Sequence, residues 1–213
     1  MQLTATRIEN REAKGRASLA RLLCDFLSSD DAPHGSDLIF VLAGRPERKT
    51  YGLELFQEGF APRLILSVGR FEVRQVARLG LGGDFGLREL AARTPPAKRH
   101  FFLDLAPDFR QGGPAGLRRS GTYEELSGLA AYLSPGTIAS LTFVSTSIHL
   151  RRVRWCCERI PGLRDHAIRY VPVPEAFSSF RREGWWKRPD HWSYLISEYA
   201  KLVVYLARYG RRG

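Results

Sequence analysis

The stretch Ser145-Thr-Ser-Ile-His-Leu-Arg-Arg152 gathers the side chains best suited to chemistry. His149 and Arg152 are three residues apart, so on a helix they share a face. An imidazole can act as general acid or base near neutral pH, and a guanidinium offers carboxylate or phosphate a planar fork of donors. Three hydroxyls, Ser145, Thr146 and Ser147, come just before them. This set suggests an anion clamp, with His149 also available to move a proton. The structural alternative is a helix-start histidine in a plain hydrogen bond and an Arg152 paired with a carboxylate such as Glu124.

Such side chains must be held by regular elements. Leu141 to Val144 is an apolar run of strand length within 140–145, and a helix is expected to open near Ser147. The hydroxyls therefore fall at a strand-to-helix junction, where backbone N–H groups and the helix dipole attract anions. Residues 37–43, 62–68, 100–105 and 168–173 read as four more strands, with Pro172 favouring an edge for the last. A helix is expected over 8–27, its apolar face built from Ile8, Leu19, Leu22, Leu23, Phe26 and Leu27. Others are expected over 48–58, stopped by Gly59, over 72–79, and over 122–133 with Thr122 as N-cap. The last, over 191–209, has Leu195, Tyr199, Leu202, Val203 and Leu206 as its apolar face. A glycine-rich connection from Gly80 leads to a helical turn or two over 87–93, and 106–120 reads as an exposed loop flapping over the crevice.

Strands alternating with helices predict an α/β fold, a doubly wound, mainly parallel five-stranded sheet with helices on both faces. Residues 1–35 are expected to pack an N-terminal helix on a domain spanning 36–213. Ligands of such sheets bind beyond the carboxyl ends of the strands. That places Gly44, Ser67, Gly69, Thr122 and Ser145 to His149 around one crevice.

Composition narrows the partner. The chain has 213 residues and a net charge of +11, a balance that suits nucleic acid, anionic membrane or phosphorylated substrates. Its three cysteines, Cys24, Cys156 and Cys157, form neither a disulfide framework nor a zinc pattern, which predicts a reducing compartment. No apolar run approaches the roughly 18 residues of a membrane span. The first residues, with Glu9, Arg11, Glu12 and Lys14, do not read as a signal peptide, so a cytoplasmic location is expected. The arginines at 118–119, 151–154, 181–182 and 211–212 could follow a nucleic-acid backbone, and Trp185 and Trp186 could stack on its bases, but no recognised motif accompanies them. No metal-ligand spacing occurs, although Asp37 and Asp104 near strands stay open. The Gly-Lys-Ser/Thr ending of a P-loop and the Gly-x-Ser-x-Gly elbow are both absent.

Five fragments, taken in order, carry a family resemblance. They are Asp37-Leu-Ile-Phe-Val-Leu-Ala-Gly44, Arg48 with Leu55-Phe-Gln-Glu-Gly-Phe-Ala-Pro62, Leu64-Ile-Leu-Ser-Val-Gly69, Ser120-Gly-Thr-Tyr-Glu124 and Val144-Ser-Thr-Ser-Ile-His-Leu-Arg-Arg152. Over roughly residues 36 to 205 the chain resembles the DUF218 family, the YdcF-like and SanA/ElyC-like proteins. It departs from that pattern at Ala43, Val68 and Glu125, and in the long basic stretch before Thr122. The resemblance implies a Rossmann-like fold whose pocket is lined by Gly44, Arg48, Ser67, Gly69, Arg70, Thr122, Ser145, Thr146, Ser147 and Arg152. It implies His149 and Glu124 as the candidate catalytic pair, and names no cofactor. Membrane-anchored relatives are associated with cell-envelope biogenesis. The expected function is binding of a small anion, a nucleotide or another phosphorylated metabolite. Phosphoryl or glycosyl chemistry, a non-catalytic sensor on the same pocket, and a basic nucleic-acid binder all stay open.

Overall fold

In the computed structural model, the described residues are 15, 17–69, 72, 100–105, 121–133, 136 and 138–210. The expected helices over 72–79 and 87–93 and the expected flap over 106–120 lie outside them, apart from Glu72. Five strands form one sheet: β1 (Leu38–Val41), β2 (Leu64–Gly69), β3 (His100–Leu105), β4 (Ser140–Ser145) and β5 (Ala167–Pro172). Their order is β3-β2-β1-β4-β5. Three pairs are parallel, while β3 runs antiparallel to β2. The expectation of a mainly parallel sheet therefore carries one exception, at an edge. Pro172 ends β5 at the other edge, where a missing N–H costs no ladder bond.

Among the described residues, five α-helices surround the sheet: α1 over 17–27, α2 (Pro46–Gln57), α3 (Thr122–Tyr132), α4 (Leu150–Cys157) and α5 (Pro189–Tyr209). The central strand β1 is apolar at every position because both of its faces are covered. Ile39, Val41, Leu64, Leu66 and Val144 pack with Tyr51 and Leu55 of α2. The alternate residues, Leu38, Phe40, Ile65, Leu141 and Phe143, pack with Leu126 and Leu129 of α3 and Val153 and Cys156 of α4. Phe40 is fully buried, edge-on to Phe102 at 5.4 Å and to Phe143 at 5.7 Å. Burying one such ring contributes about 1.5–3 kcal/mol.

Local chemistry sets the ends of these helices. Pro46 opens α2, where its fixed φ suits the first turn. Gly59, at φ 82°, closes it, and the Phe60 N–H returns to the Leu55 carbonyl at 3.0 Å. Gly52 lets α2 lie against β1, since a Cβ there would sit 2.2 Å from a Val41 methyl carbon. At the start of α3 the expected N-cap, Thr122, is instead the first helical residue, and Gly121 holds the cap position in extended backbone. The helix expected to open near Ser147 begins as a 3-10 turn, Ser147–His149, before α4 proper.

Two expected apolar faces are rotated from those read by spacing. In α1 the buried residues are Ala20, Cys24 and Leu27, while Leu19, Leu22, Leu23 and Phe26 are exposed. In α5, Leu195 and Leu202 are buried as expected, but Val203 and Leu206 are exposed. Its buried stripe is His191, Leu195, Glu198, Leu202 and Tyr209, so a carboxylate takes a core position. Ala20, Cys24 and Leu27 meet Ile148, Trp185, Leu195 and Leu202 in a third apolar cluster. No helix among the described residues is long and apolar enough to cross a membrane.

Candidate functional site

The chain leaves β1 through α2 toward β2 on one side, and later returns to place β4 on the other. The connections leaving β1 and β4 therefore run to opposite faces of the sheet, and a crevice opens where strand order reverses. A cleft of about 470 Å³ lies there, and its lining includes Gly44 after β1, Thr122 at the start of α3, and His149 and Arg152 after β4. Helix α5 closes it from above with Tyr194, Glu198, Lys201 and Tyr205. Of the residues expected around a pocket, Gly44, Arg48, Thr122, His149 and Arg152 line this cleft.

Electrostatic pairing divides its cations. Arg152 donates through Nε (3.1 Å) and Nη2 (2.7 Å) to one oxygen of Glu198, whose other oxygen takes Lys201 at 2.9 Å. This is the structural alternative raised for Arg152, with Glu198 in place of Glu124. Lys49, almost fully buried, pairs with Glu72 at 2.5 Å. Burial lowers the pKa of its ammonium, opposed by the Glu72 charge. Arg48 differs from both. It is 5% exposed, and among the described residues its guanidinium meets only neutral acceptors: the Ala43 carbonyl (2.5 Å), Thr146 Oγ1 (2.9 Å) and the Tyr194 hydroxyl (3.5 Å). Its Nε is buried with no partner.

Hydroxyls surround the imidazole. Ser145 Oγ lies 2.7 Å from His149 Nδ1, and Thr122 Oγ1 lies 3.1 Å from Nε2. Arg152 Nη1 donates to the same Thr122 oxygen at 2.5 Å. Burial holds the His149 pKa well below the usual histidine value, and the charges of Arg152 and Arg48 push it the same way. The imidazole is therefore neutral at pH 7.

Other expected site residues are placed elsewhere. Glu124 does not reach the cleft, because its carboxylate accepts the Tyr209 hydroxyl at 2.5 Å. Its neighbour Glu125 lines the cleft instead and accepts the Ala43 N–H at 2.7 Å. The amides of Gly44 and Gly69, both expected to line the pocket, donate to the Glu72 carboxylate. Glu72 is thus itself the anion in that corner. Ser67 is fully buried beneath, with its hydroxyl unpartnered. Ser145 and Thr146 are fully buried behind the lining, while Ser147 is only partly buried at the start of the 3-10 turn. Arg70 lies outside the described residues.

Metal and nucleic-acid readings gain no support from side-chain placement. No cluster of His, Cys, Asp or Glu suited to a metal occurs among the described residues. Asp37 accepts the Ala139 and Ser140 N–H groups, both at 2.8 Å, and Asp104 holds Arg63 through both oxygens. Trp185 is fully buried and donates to the Ala20 carbonyl at 2.9 Å, so it offers no stacking surface. Arg182 bridges Asp25 and Asp30. Cys156 and Cys157 are structural, with burial raising the Cys157 thiol to about 12.

Sequence reading missed Tyr194, Glu198, Lys201 and Tyr205, all on α5. The available signal was Glu198 itself, a carboxylate in register with Leu195 and Leu202. Set against family models, curated proteins and solved structures, the chain matches none.

Proposed function

We propose that this cleft binds a small anionic ligand, a nucleotide or another phosphorylated metabolite, on a Rossmann-like doubly wound sheet. Kinship with the DUF218 family is part of the same proposal. One observation carries the reading: Arg48 lines the cleft, is 5% exposed, and has no carboxylate partner among the described residues. A buried guanidinium without a counter-charge is costly, and an anion in the cleft offsets that cost. The overall charge of +11 favours capture of such a ligand.

The geometry favours binding over chemistry. Both nitrogens of His149 already meet hydroxyls, and Glu124, the other half of the expected catalytic pair, faces Tyr209. Glu125 is the one carboxylate in the cleft not paired with a cation among the described residues. Isothermal titration of the full chain with a panel of phosphomonoesters and nucleotides tests the proposal. Saturable binding is expected, weakened by about 10- to 150-fold in Arg48→Met, the range of one hydrogen bond to a charged group. No binding by any member, or equal binding by the variant, overturns it.

A further inference from the structure

Two hydroxyls at the base of the cleft have only one place to send their protons. Ser145 Oγ is fully buried, and its sole hydrogen-bond partner among the described residues is His149 Nδ1 at 2.7 Å. A buried hydroxyl without an acceptor is strongly disfavoured, so the Ser145 proton points at Nδ1. A neutral imidazole has one proton, which must then sit on Nε2. Nε2–H donates to Thr122 Oγ1, the same oxygen that Arg152 Nη1 already donates to. Thr122 thus accepts two N–H bonds, and its own proton has no acceptor among the described residues. Thr122 lines the cleft, so that proton points into it.

The same logic runs on the Arg48 side. Thr146 is fully buried and accepts from Arg48 Nη2 at 2.9 Å. Its only other partner among the described residues is the Tyr194 hydroxyl at 2.8 Å, so Thr146 donates to Tyr194. The Tyr194 oxygen also faces Arg48 Nη2 at 3.5 Å and lines the cleft. Its ring is held by the Arg45 guanidinium, 4.6 Å from the centroid. The Tyr194 proton therefore points into the cleft as well. Two relays of fixed direction, each backed by an arginine, end in O–H donors.

We infer that Thr122 and Tyr194 are dedicated hydrogen-bond donors, and that with Arg48 they select a fully deprotonated tetrahedral oxyanion, a phosphoryl dianion that only accepts. This rests on the anion-binding reading of the cleft and deepens it. His149 and Ser145 are then positioning residues. The imidazole lone pair is capped by the Ser145 proton, so His149 orients Thr122 and does not accept a proton from a ligand.

Two measurements test this separately. Nitrogen-15 NMR of the ligand-free protein reads the His149 tautomer, with the proton expected on Nε2; a proton on Nδ1 overturns the inference whatever binds. Phenyl phosphate, titrated at pH 8 where it is a dianion, then probes the donors. Thr122→Val and Tyr194→Phe should each lose about ten-fold or more in affinity. Thr122→Ser, which keeps the hydroxyl and guards against misfolding of the valine variant, should retain most of it. Wild-type affinity in both Thr122→Val and Tyr194→Phe overturns the donor assignment while leaving an anion site on Arg48. Failure of the wild type to bind any phosphorylated probe sinks the site reading itself, and the tautomer still decides the direction of the relay.

Discussion

The two ends of the sheet handle buried charge in opposite ways. At the end where β1 and β2 begin, Asp37 clamps the amides of Ala139 and Ser140, and Arg63 meets Asp104, which also accepts the Tyr132 hydroxyl at 2.8 Å. Each charged group there has a complement. Beyond the carboxyl ends of β1 and β4, Arg48 has no carboxylate partner among the described residues, and the relays inferred through Thr122 and Tyr194 end in donors facing the cleft. Apolar side chains cover both faces of the strands between. The difference separates polar groups that hold the fold from polar groups that wait for something outside it.

Identical substitutions at the two ends should break this contrast most sharply. Arg63→Met strands Asp104, which is 5% exposed, and should cost about 2–3 kcal/mol, below the usual loss for a fully buried pair because Arg63 is partly solvated. Ligand affinity should stay as in the wild type. Arg48→Met strands no carboxylate and removes an unpartnered buried Nε. Its stability should lie within about 1 kcal/mol of the wild type, or above it. Urea unfolding of both variants decides this. A large loss from Arg48→Met would mean that Arg48 holds the fold in the way Arg63 does.

Much of this architecture is legible in the sequence, because burial on both faces writes the strands as unbroken apolar runs such as Leu38 to Val41. The order of the site fragments is legible too, since a β–α alternation puts their loops at one end. The pairing is less legible. Nothing in the spacing links Arg152 to Glu198, forty-six residues on, or says that Glu125 rather than Glu124 turns inward. That depends on where α3 begins: with Gly121 as cap, Thr122 moves into the first turn and its hydroxyl is free for His149. The buried faces of α1 and α5 differ from those the spacing predicts, because both helices give narrow stripes to one shared apolar cluster and leave Leu22 and Val203 to solvent.

Acid should find the two ends in different ranges. The His149 pKa is lowered in the folded state, so the unfolded chain takes up a proton below about pH 6.5 that the folded chain does not. Stability is therefore full above that pH and falls on acidification, by about 1.4 kcal/mol per unit for one proton. At the closed end, the N–H groups of Ser140 and Ala139 lower the Asp37 pKa. Its contribution is present above about pH 3.9, the unfolded carboxyl value, and is lost only below it. Thermal melts between pH 5 and 7.5 should thus show a slope that His149→Asn removes and Asp37→Asn leaves intact. An unchanged slope in His149→Asn would place the acid-sensitive group elsewhere.

The smallest effect comes from removing one oxygen at the closed end. Tyr132→Phe deletes a hydroxyl bound to Asp104 but keeps the ring beneath the Arg63 guanidinium, 5.8 Å from its centroid. Asp104 still has both of its bonds from Arg63 Nε, at 3.0 and 3.2 Å, so no charge is stranded. The loss should be that of one hydrogen bond, about 1 kcal/mol, or roughly 2–4 °C in Tm for a chain of this size. Phosphate affinity should not move, because the hydroxyl lies at the opposite end of the sheet from the cleft. Tyr194→Phe removes the same atom at the open end and should lower affinity as well as stability, since Thr146 then loses its acceptor. If Tyr132→Phe also weakened binding, the two ends would be coupled through α3, which carries Thr122 at one terminus and Tyr132 at the other.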